Sequence, residues 1–551
     1  MTNGAQALVR TLIDAGVTAC FTNPGTSEMH FVAALDSAPE MRAVLTLFEG
    51  VATGAADGYA RMAGKPAATL LHLGCGLGNG LANLHNARKA RVPIVNIVGD
   101  HATTHVQYDA QLQSDIETVA RNVSPWVRTS ASTQALCRDA VDAVAAATAT
   151  PAAVATLILP ADVSWGEGAE PAAPPVQAVA PVASAETLAT VAQALTGGGK
   201  TAILLGGKAL REPALLLASR ISGATGAILH AEVFPTRMER GAGLPYVERL
   251  AYLAELASVQ LAGLEHLILV DAKAPVSFFA YPGKKSYLVP EGCKVHTLAG
   301  LDQDALGSLQ ALAAVLRAQD VAPALLEPAV PKRPSGALTA DKVCQAVAAA
   351  LPERAIVSDE AQTSGVTLSK HTAQAPRHDL LTLTGGAIGQ GLPVAVGAAI
   401  ACPDRQVFAL VGDGSAMYTI QALWTMAREQ LNVITIVFNN RSYAILNMEL
   451  ERVGADTVGP IARSQLDLST PPLDFVALGN GLGVHSVRAA TCEQLNTALD
   501  FALAHAGPHL IEVIVPNAFS GLKLKALPHV LGALEKLPQP VAKILKQKIS
   551  P

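Results

Sequence analysis

The chain has 551 residues, about half of them apolar, and a formal net charge of −5. It is too long for one hydrophobic core, and about three domains of ordinary size are expected. The mildly acidic balance gives no electrostatic footprint for nucleic acid. Seven cysteines without a CxxC pair predict neither a disulfide framework nor a zinc site, and favour a cytoplasmic location. The sequence has no signal pattern and no bilayer-length apolar run, so no membrane association is predicted.

Two stretches rich in Pro and Ala have the composition of linkers, GAEPAAPPVQAVAPVASAE (168–186) and VAPALLEPAVPKRPSGA (321–337). The segments around them alternate strand-like and helix-like runs. This alternation predicts the α/β fold class, with three doubly wound parallel-sheet domains. The predicted ranges are 1–167, 187–320 and 338–520, followed by a C-terminal tail at 521–551.

The first segment alternates predicted strands and helices in chain order. ACFTNPGTSEMHFVAAL predicts a strand, a turn and a helix, and AVLTLFE predicts the next strand. The following elements are a helix through GVATGAADGYARMAG, a strand AATLLHLG, a helix through GNGLANLHNARKA and a strand VPIVNIVGD. Glu49 is predicted to end its strand, at the sheet edge where ligands of α/β proteins bind.

A Gly-rich stretch, HLGCGLGNG (72–80), invites a dinucleotide-binding interpretation. The G-x-G-x-x-G spacing fails in both frames, because Asn79 and Leu81 stand where the last glycine is needed. Tight packing of a helix start against the cleft is the preferred interpretation. The middle segment, from KTAILLGGKAL to LILVDAKAP, predicts a further doubly wound sheet.

The third segment contains a βαβ unit that begins with Gly-Asp-Gly (412–414) and ends with two asparagines (439–440). QVFALV and VITIVF predict buried parallel strands, with one helix between them at the spacing of Met417 to Leu431. Asp413 and Asn440 are then expected to converge at one sheet edge. A carboxylate and an amide oxygen suit Mg²⁺ that holds a phosphate group, with N–H groups near Gly414 and Ser415 facing that phosphate.

GDG followed by about two dozen residues and NN resembles the motif of thiamine diphosphate (ThDP)-dependent enzymes, and the resemblance extends over nearly the whole chain. It implies that the first and third domains bind the cofactor's pyrimidine and diphosphate, respectively. It also implies that Asp413, the Asn440 side chain and the Ser442 backbone carbonyl hold Mg²⁺. By the same resemblance, Glu49 in FEGVATGAADGYAR is the acid that activates the cofactor, which is held mainly by another subunit.

Further site residues follow from the resemblance. Ile388 corresponds to the apolar residue that supports the bent cofactor, and the Gly386 carbonyl to the acceptor of its 4′-amino group. The loop DEAQTSG implies diphosphate contacts for Gln362 and Thr363. Tyr443, in NNRSYAIL, is expected beside the cofactor. The middle domain of relatives holds FAD, ADP or neither, and no motif here decides between them.

Within the family, NPGTSE, LHLGCGLGN and NNRSYAIL resemble benzoylformate decarboxylase. His72 and Thr26 then correspond to a proton-shuttling histidine and a substrate-contacting serine. Ala280 stands where that enzyme has a second active-site histidine. Glu449 stands where it has a pocket phenylalanine, and either makes the pocket more polar or faces solvent. Leu112 and Leu446 complete the predicted pocket, and a leucine at 112 argues against a simple acetolactate synthase.

The predicted function is therefore a ThDP- and Mg²⁺-dependent 2-oxo acid decarboxylase or carboligase. Acetolactate synthase-like transfer and a non-catalytic ThDP-binding paralogue remain as alternatives, although the retained Glu49 counts against the latter. The expected partners are a 2-oxo acid or aldehyde substrate and further copies of the chain, as a homodimer or homotetramer. The tail from Gly521, with six lysines and one glutamate, is expected to pack over a neighbouring subunit or the cleft rather than bind a membrane surface.

Overall fold

The computed structural model describes residues 2–453, 459–517, 530–531, 533–534 and 537–549. Within these residues the strands form three separate sheets, and nearly all neighbouring strands are parallel. Helices cover the sheets, so the strands are apolar on both faces, as expected for parallel sheets. The predicted α/β class with three doubly wound parallel sheets is confirmed.

The first sheet has the strand order β2-β1-β3-β4-β6-β5. Its strands are β1 (Ala19–Asn23), β2 (Arg42–Leu45), β3 (Ala67–Leu71), β4 (Ile94–Asp100), β5 (Trp126–Thr129) and β6 (Val154–Pro160). The middle sheet has the order β10-β8-β7-β11-β12. Its strands are β7 (Thr201–Leu205), β8 (Ile228–Ala231), β10 (Glu248–Arg249), β11 (His266–Val270) and β12 (Lys294–Ala299).

The third sheet has the order β17-β18-β16-β15-β13-β14-β9. Its strands are β9 (Met238–Arg240), β13 (Ala355–Glu360), β14 (His378–Thr382), β15 (Val407–Gly412), β16 (Val433–Asn439), β17 (His485–Ala489) and β18 (His509–Ile514). The edge strand β9 comes from the middle segment and pairs antiparallel with β14. The sequence analysis did not predict that the middle segment contributes a strand to the third sheet, because a three-residue strand carries almost no periodic signal.

Helices connect these strands throughout the described part of the chain. The helices up to the middle sheet are α1 (Gly4–Asp14), α2 (Met29–Ala34), α3 (Glu49–Ala63), α4 (Leu73–Ala90), α5 (Ile116–Arg121), α6 (Thr133–Thr148), α7 (Ala161–Trp165), α8 (Ala185–Thr196), α9 (Glu212–Thr225), α10 (Ala254–Leu261) and α11 (Ala305–Val315). The later helices are α12 (Ala340–Ala350), α13 (Leu368–His371), α14 (Gly391–Ala401), α15 (Asp413–Ala416), α16 (Ala422–Arg428), α17 (Ala444–Arg452), α18 (Pro460–Ser464), α19 (Phe475–Gly481), α20 (Cys492–Ala504) and α21 (Gln539–Ile549).

Three local predictions were wrong. Glu49 does not end a strand, because β2 stops at Leu45 and Glu49 is the first residue of α3. The strand predicted through Gly74 ends at Leu71, and the helix predicted from Gly78 already begins at Leu73. The helix predicted between Asp413 and the second strand is divided into α15 and α16, with residues 417–421 between them.

The first and third sheets are joined by close packing of α3 against α14. Glycines at the crossing permit the approach. A Cβ atom on Gly58 would overlap the Val394 carbonyl oxygen, and one on Gly397 would overlap the Ala55 carbonyl oxygen. The small-residue composition of both helices therefore lets their backbones come into direct contact between the first and third sheets.

The described part of the C-terminal tail packs on its own chain. Leu531, Leu534 and Ala542 are buried against Leu256 and Val259 of α10. Residues 521–529, where the tail prediction begins, lie outside the described residues. Among the helices that the structure describes, none combines the length and the apolar character needed to cross a membrane.

Candidate active site

Four neighbouring strands of the third sheet, β16, β15, β13 and β14, end at one edge. Parallel strands present their carboxyl ends on the same side, so the residues that follow them are brought together. Asn440, Asp413, Gln362 and Gly386 follow these four strands, respectively. The structure thus gathers the predicted metal and diphosphate residues at one sheet edge.

Asp413 begins α15 and is almost fully buried, with 3% of its surface exposed. Its Oδ1 accepts from the Gly414 N–H at 2.8 Å, and its Oδ2 accepts from the Arg441 N–H at 2.6 Å. Burial raises the pKa of the Asp413 carboxyl, and backbone N–H donors of both loops oppose that rise. The second bond fixes the loop after β16 to the end of β15.

The loop after β16 carries the other predicted metal residues. Asn440 Oδ1 accepts from the Ser442 N–H at 2.9 Å, which closes an Asx turn. The Ser442 hydroxyl donates to the Leu466 carbonyl at 3.1 Å, so the hydroxyl points away and the backbone carbonyl is the atom left for a ligand role. The Asn440 side-chain oxygen and the Ser442 backbone oxygen are the two atoms of this loop that the prediction assigns to Mg²⁺.

Asn439, the first residue of the asparagine pair, has a different environment. Its Nδ2 donates to Oε1 of the fully buried Glu512 at 2.6 Å. Glu512 Oε2 accepts from Arg488 Nε at 2.7 Å. Asn439 therefore anchors the loop on β18. The sequence analysis gave Glu512 no role, although one acid inside the apolar strand HLIEVI is a usable signal for such an anchor.

The segment between β14 and α14 carries Gly386 and Ile388. Gly386 has φ +77° and Gly389 has φ +94°, in the left-handed region that favours glycine. The segment is held by Glu360, which is nearly fully buried and accepts from the Gly389 N–H at 2.6 Å and the Gly391 N–H at 2.7 Å. Burial raises the pKa of Glu360 to about 7, against the opposing effect of these N–H donors.

Side chains of α4 hold the same segment from the first sheet. Asn86 Nδ2 donates to the Ala387 carbonyl at 2.8 Å. Asn83 Nδ2 lies 3.1 Å from the Gly389 carbonyl and 2.8 Å from the Gly50 carbonyl, so one amide bridges the start of α3 and the segment after β14. Hydrogen bonds from α4 therefore connect the start of α3 to the segment after β14 within one chain.

The remaining predicted cofactor residues lie at the same edge. Gln362 and Thr363 are half-buried in a 3-10 turn that packs near α17, and Gln362 has φ +47°. Tyr443 lies against Gly414, where a Cβ atom would overlap its ring. Ser415 is buried in the first turn of α15. The Gly414 N–H, which was expected to face a phosphate, donates to Asp413 instead.

Glu49 lies at the carboxyl edge of the first sheet and is 9% exposed. Its Oε2 accepts from Asn79 Nδ2 at 3.0 Å. Its Oε1 faces Gly76, where a Cβ atom would come within 3.0 Å. Glycine at position 76 therefore keeps the space in front of this oxygen open.

His72 and Thr26 lie at the same edge, after β3 and β1. Thr26 is exposed at the start of a 3-10 turn that runs to Glu28. His72 Nδ1 is 2.9 Å from Oε2 of Glu28, a fully buried carboxylate. Glu28 belongs to the NPGTSE motif, but the sequence analysis gave it no role of its own.

The residues predicted for the substrate pocket are spread around this region. The Phe278 ring lies against Gly386, where a Cβ atom would overlap it. Ala280, two residues later, is exposed. Leu446 of α17 and Leu112 after β4 are exposed large apolar side chains, at 44% and 40%. The segment with Ala280 therefore runs beside the cofactor residues of its own chain.

Glu449 does not face solvent, because only 14% of its side chain is exposed, whereas the expectation of a more polar pocket stays a prediction. Its Oε1 is 3.0 Å from Arg452 Nη1, and the Tyr252 hydroxyl donates to it at 3.5 Å. Arg452 also pairs with Glu255 at 3.0 Å and lies 4.0 Å from the centre of the Tyr281 ring. Glu449 thus belongs to a largely buried ion-pair network that joins α17 to α10.

The middle sheet has its own strand-end crevice, where β7 and β11 stop side by side. The Gly207 N–H donates to Glu232 at 2.9 Å, and the Lys208 N–H donates to Asp271 at 2.7 Å. Arg91 of the first segment also pairs with Asp271. The N–H groups that could face a nucleotide phosphate at this position therefore already have carboxylate partners.

ThDP with Mg²⁺ fits the residues gathered at the two sheet edges. The third sheet offers one carboxylate, one amide oxygen and one backbone carbonyl, which are hard ligands of the kind Mg²⁺ prefers. Over the described ranges, no group of three His, Cys, Asp or Glu side chains is placed to hold a metal. Mg²⁺ commonly completes its octahedral coordination with substrate phosphates and water.

Comparison with known proteins identifies two family models in the chain. Residues 2–120 match the thiamine pyrophosphate enzyme N-terminal TPP binding domain. Residues 362–513 match the thiamine pyrophosphate enzyme C-terminal TPP binding domain. The two matches contain the first-sheet residues Glu49 and His72 and the third-sheet residues Asp413 and Asn440.

Whole-chain relatives extend this result. The chain is 57% identical to the "Putative acetolactate synthase large subunit IlvX" of Mycobacterium tuberculosis, over 94% of this chain and 99% of that protein. It is 30% identical to benzoylformate decarboxylase of Pseudomonas aeruginosa, over 90% of this chain and 96% of that protein. The solved structure of a Rhodococcus jostii RHA1 thiamine diphosphate-dependent 4-hydroxybenzoylformate decarboxylase superposes with a TM-score of 0.83 at 25% identity, over 94% of this chain and 99% of that one. The chain belongs to the thiamine pyrophosphate enzyme family.

Proposed function

We propose that this ThDP-dependent enzyme uses Mg²⁺ and cleaves the carbon–carbon bond beside the carbonyl of a 2-oxo acid. The product is released as an aldehyde or joined to a second carbonyl compound. The observation that carries the proposal is the convergence of Asp413, Asn440 and Gly386 at one sheet edge, with Glu49 and His72 at another. When bound, the cofactor supplies a carbon nucleophile and an electron sink, and the protein supplies position and protons.

In this proposal each site residue has a defined task. Asp413, the Asn440 side chain and the Ser442 carbonyl hold Mg²⁺ and, through it, the diphosphate. Ile388 would support the cofactor, and the Gly386 carbonyl would accept a hydrogen bond from its 4′-amino group. Glu49 holds the proton at the pyrimidine N1′. The remaining contacts to the diphosphate and the ring would come from Gln362, Thr363, Ser415 and Tyr443, while the Gly414 N–H stays on Asp413.

The domain ranges 1–167, 187–320 and 338–520 then correspond to pyrimidine-binding, middle and diphosphate-binding units. We further propose that Glu49 of one subunit serves the cofactor of another, within a homodimer or homotetramer. Exposed apolar side chains near the first-sheet and the third-sheet site residues support a site shared between subunits. Leu47 precedes Glu49, and Tyr418 lies beside Gly389. Such side chains suit burial by a second copy. The cysteines, all free, suit a cytoplasmic location.

The names of the relatives leave two reactions open, decarboxylation and acyloin-forming transfer. The site favours a decarboxylase that also ligates. His72 is present, whereas Ala280 stands where a second proton-transferring histidine would stand. The first test is a panel of 2-oxo acids, with and without acceptor aldehydes, given to protein saturated with ThDP and Mg²⁺. Release of CO₂ with acyloin formation supports the proposal, and no turnover of any 2-oxo acid would overturn it.

Replacing Ala280 with His is expected to shift the products towards free aldehyde. Wild type, with excess acceptor aldehyde, is expected to give mainly the ligated product, because only His72 serves proton transfer and Ala280 leaves room for a second carbonyl compound. A positioned acid–base group contributes about 10²–10⁴-fold, so a shift of the aldehyde-to-acyloin ratio of about tenfold or more is expected. Product analysis under identical conditions measures this ratio.

Ala280→Gln is the matched control, because it adds similar bulk without a group that titrates near neutral pH. An equal shift in both variants would mean that volume, not proton donation, sets the ratio. An unchanged ratio in Ala280→His would mean that a different group protonates the product.

A further inference from the structure

We propose that Glu28 is a positioning residue that fixes His72 as the Nδ1–H tautomer, so that its Nε2 atom is the one that exchanges protons with the substrate. This inference rests on the proposed function for its catalytic meaning. Neither the family models nor the relatives' names assign Glu28 a role.

The Glu28 carboxylate lies in a site that is built around it. Glu28 is fully buried, and three groups converge on it. The Gly25 N–H donates to Oε2 at 2.6 Å, the Ser27 hydroxyl donates to Oε1, and His72 Nδ1 lies 2.9 Å from Oε2. A Cβ atom on Gly99 would overlap Oε1, so glycine at position 99 makes room for the buried carboxylate.

The donors and acceptors around Glu28 determine which ring nitrogen of His72 carries the proton. An ionised carboxylate only accepts, and both other neighbours act as donors towards it. Nδ1 of His72 must therefore also donate, which requires a proton on Nδ1 whether the ring is neutral or charged. In the neutral ring, Nε2 is then the proton acceptor. Ser27 Oγ is a second, longer neighbour of Nδ1, at 3.3 Å, and does not change this assignment.

The two sides of the His72 ring differ in their exposure. The His72 side chain is 22% exposed, while Glu28 on its Nδ1 side is not exposed at all. Gly25 packs against the ring edge that includes Nδ1, where a Cβ atom would overlap it. The accessible part of the ring is therefore the Nε2 side, at the carboxyl edge of the first sheet.

Other titratable groups lie near this pair. Glu49 of α3 approaches from beyond Gly76, whose Cβ position lies 3.0 Å from Glu49 Oε1 and 3.5 Å from His72 Cβ. Asp100 and His101 follow Gly99 at the end of β4, and the Asp100 carboxylate accepts from the His101 N–H. Of these groups, Glu28 is the one bonded to the imidazole.

The proton balance is simple. Nε2 takes one proton from the reacting group, and the ring becomes an imidazolium that keeps its Nδ1–H on the Glu28 carboxylate. The same proton then leaves Nε2 for the product, and the ring returns to the neutral Nδ1–H tautomer. Glu28 accepts the Nδ1–H bond throughout and does not itself transfer a proton.

Kinetics on four proteins separate positioning from structural support. They are wild type, Glu28→Gln, His72→Gln and the double variant. Glutamine can keep its carbonyl at the Oε2 position and its amide at Ser27, so it removes the charge with little change of shape. We expect Glu28→Gln to lower kcat about 10–100-fold. This is part of the rate enhancement of about 10²–10⁴-fold that a positioned acid–base group contributes.

In the His72→Gln background, the same change at Glu28 is expected to have almost no further effect, because Glu28 acts through His72. Binding of ThDP is expected to be unaffected in all four proteins. An equal loss of kcat with and without His72 would mean that Glu28 only supports the structure, and would overturn the proposal.

Imidazole ¹⁵N NMR of the wild-type holoenzyme tests the tautomer without any assay of turnover. The His72 signals are identified by their loss in His72→Gln. The expected result is a protonated Nδ1 and, at a pH where the ring is neutral, an unprotonated Nε2. A neutral ring with its proton on Nε2 would overturn the inference even if Glu28→Gln failed to fold. An inactive holoenzyme with the expected tautomer would instead place the failure in the proposed function.

Discussion

Asp413→Asn is expected to weaken the binding of ThDP in the presence of Mg²⁺ by about 100-fold or more, since even groups that only support metal ligands are worth about 10–100-fold. The variant loses the one charged ligand of the proposed metal site but keeps its shape. Asn can still accept one of the two N–H bonds, from Gly414 or Arg441. Calorimetric titration of the cofactor with and without Mg²⁺ measures the change.

Asn is a better choice here than Ala. The Asp413 carboxylate is buried and accepts hydrogen bonds from two backbone N–H groups. Asp413→Ala would leave both without their partner, at about 1–3 kcal/mol for each unsatisfied buried donor, and instability would then confuse the result. Asp404→Asn, at an exposed surface ion pair, is the matched control. Unchanged cofactor affinity in Asp413→Asn would refute the metal assignment.

Glu49→Gln is expected to keep the cofactor bound and to slow hydrogen–deuterium exchange at the thiazolium C2 about 10²–10⁴-fold, the usual worth of an acid–base group. An amide cannot hold the exchangeable proton at N1′, but it can keep the bond from Asn79. Quenched-flow exchange followed by NMR of the released cofactor reports this step before any substrate is involved.

Glu40→Gln, a surface change in the same domain, is the control. Exchange in Glu49→Gln as fast as in wild type would show that another group activates the cofactor. Loss of cofactor binding in place of slow exchange would make Glu49 a binding residue only.

The sequence predicts the placement of the third-sheet residues well because their signal is local. Asp413 and Asn440 belong to one βαβ unit, and the parallel arrangement of two consecutive buried strands brings their ends together without any long-range information. The same unit shows where local reasoning fails. The helix between the strands is broken at residues 417–421, although Met417 and Ile420 keep helical spacing.

The carboxylates that shape the site are harder to predict. Glu28 meets His72 across 44 residues, Glu360 meets Gly391 across 31, and Glu512 meets Asn439 across 73. Each is a buried acid whose partners are known only after the strands are ordered in the sheet. Glu449 is a similar case, because its partners Arg452 and Tyr252 come from two different segments of the chain.

The account depends on Glu49 and Asp413 acting on one cofactor from two subunits, and a mixing experiment tests this directly. Asp413→Asn and Glu49→Gln chains, each inactive alone, are co-expressed in equal amounts and assayed with a 2-oxo acid, ThDP and Mg²⁺. Random pairing makes half of the dimers mixed, each with one intact site, so roughly one quarter of wild-type activity is predicted. Activity no higher than that of either parent would contradict the shared site.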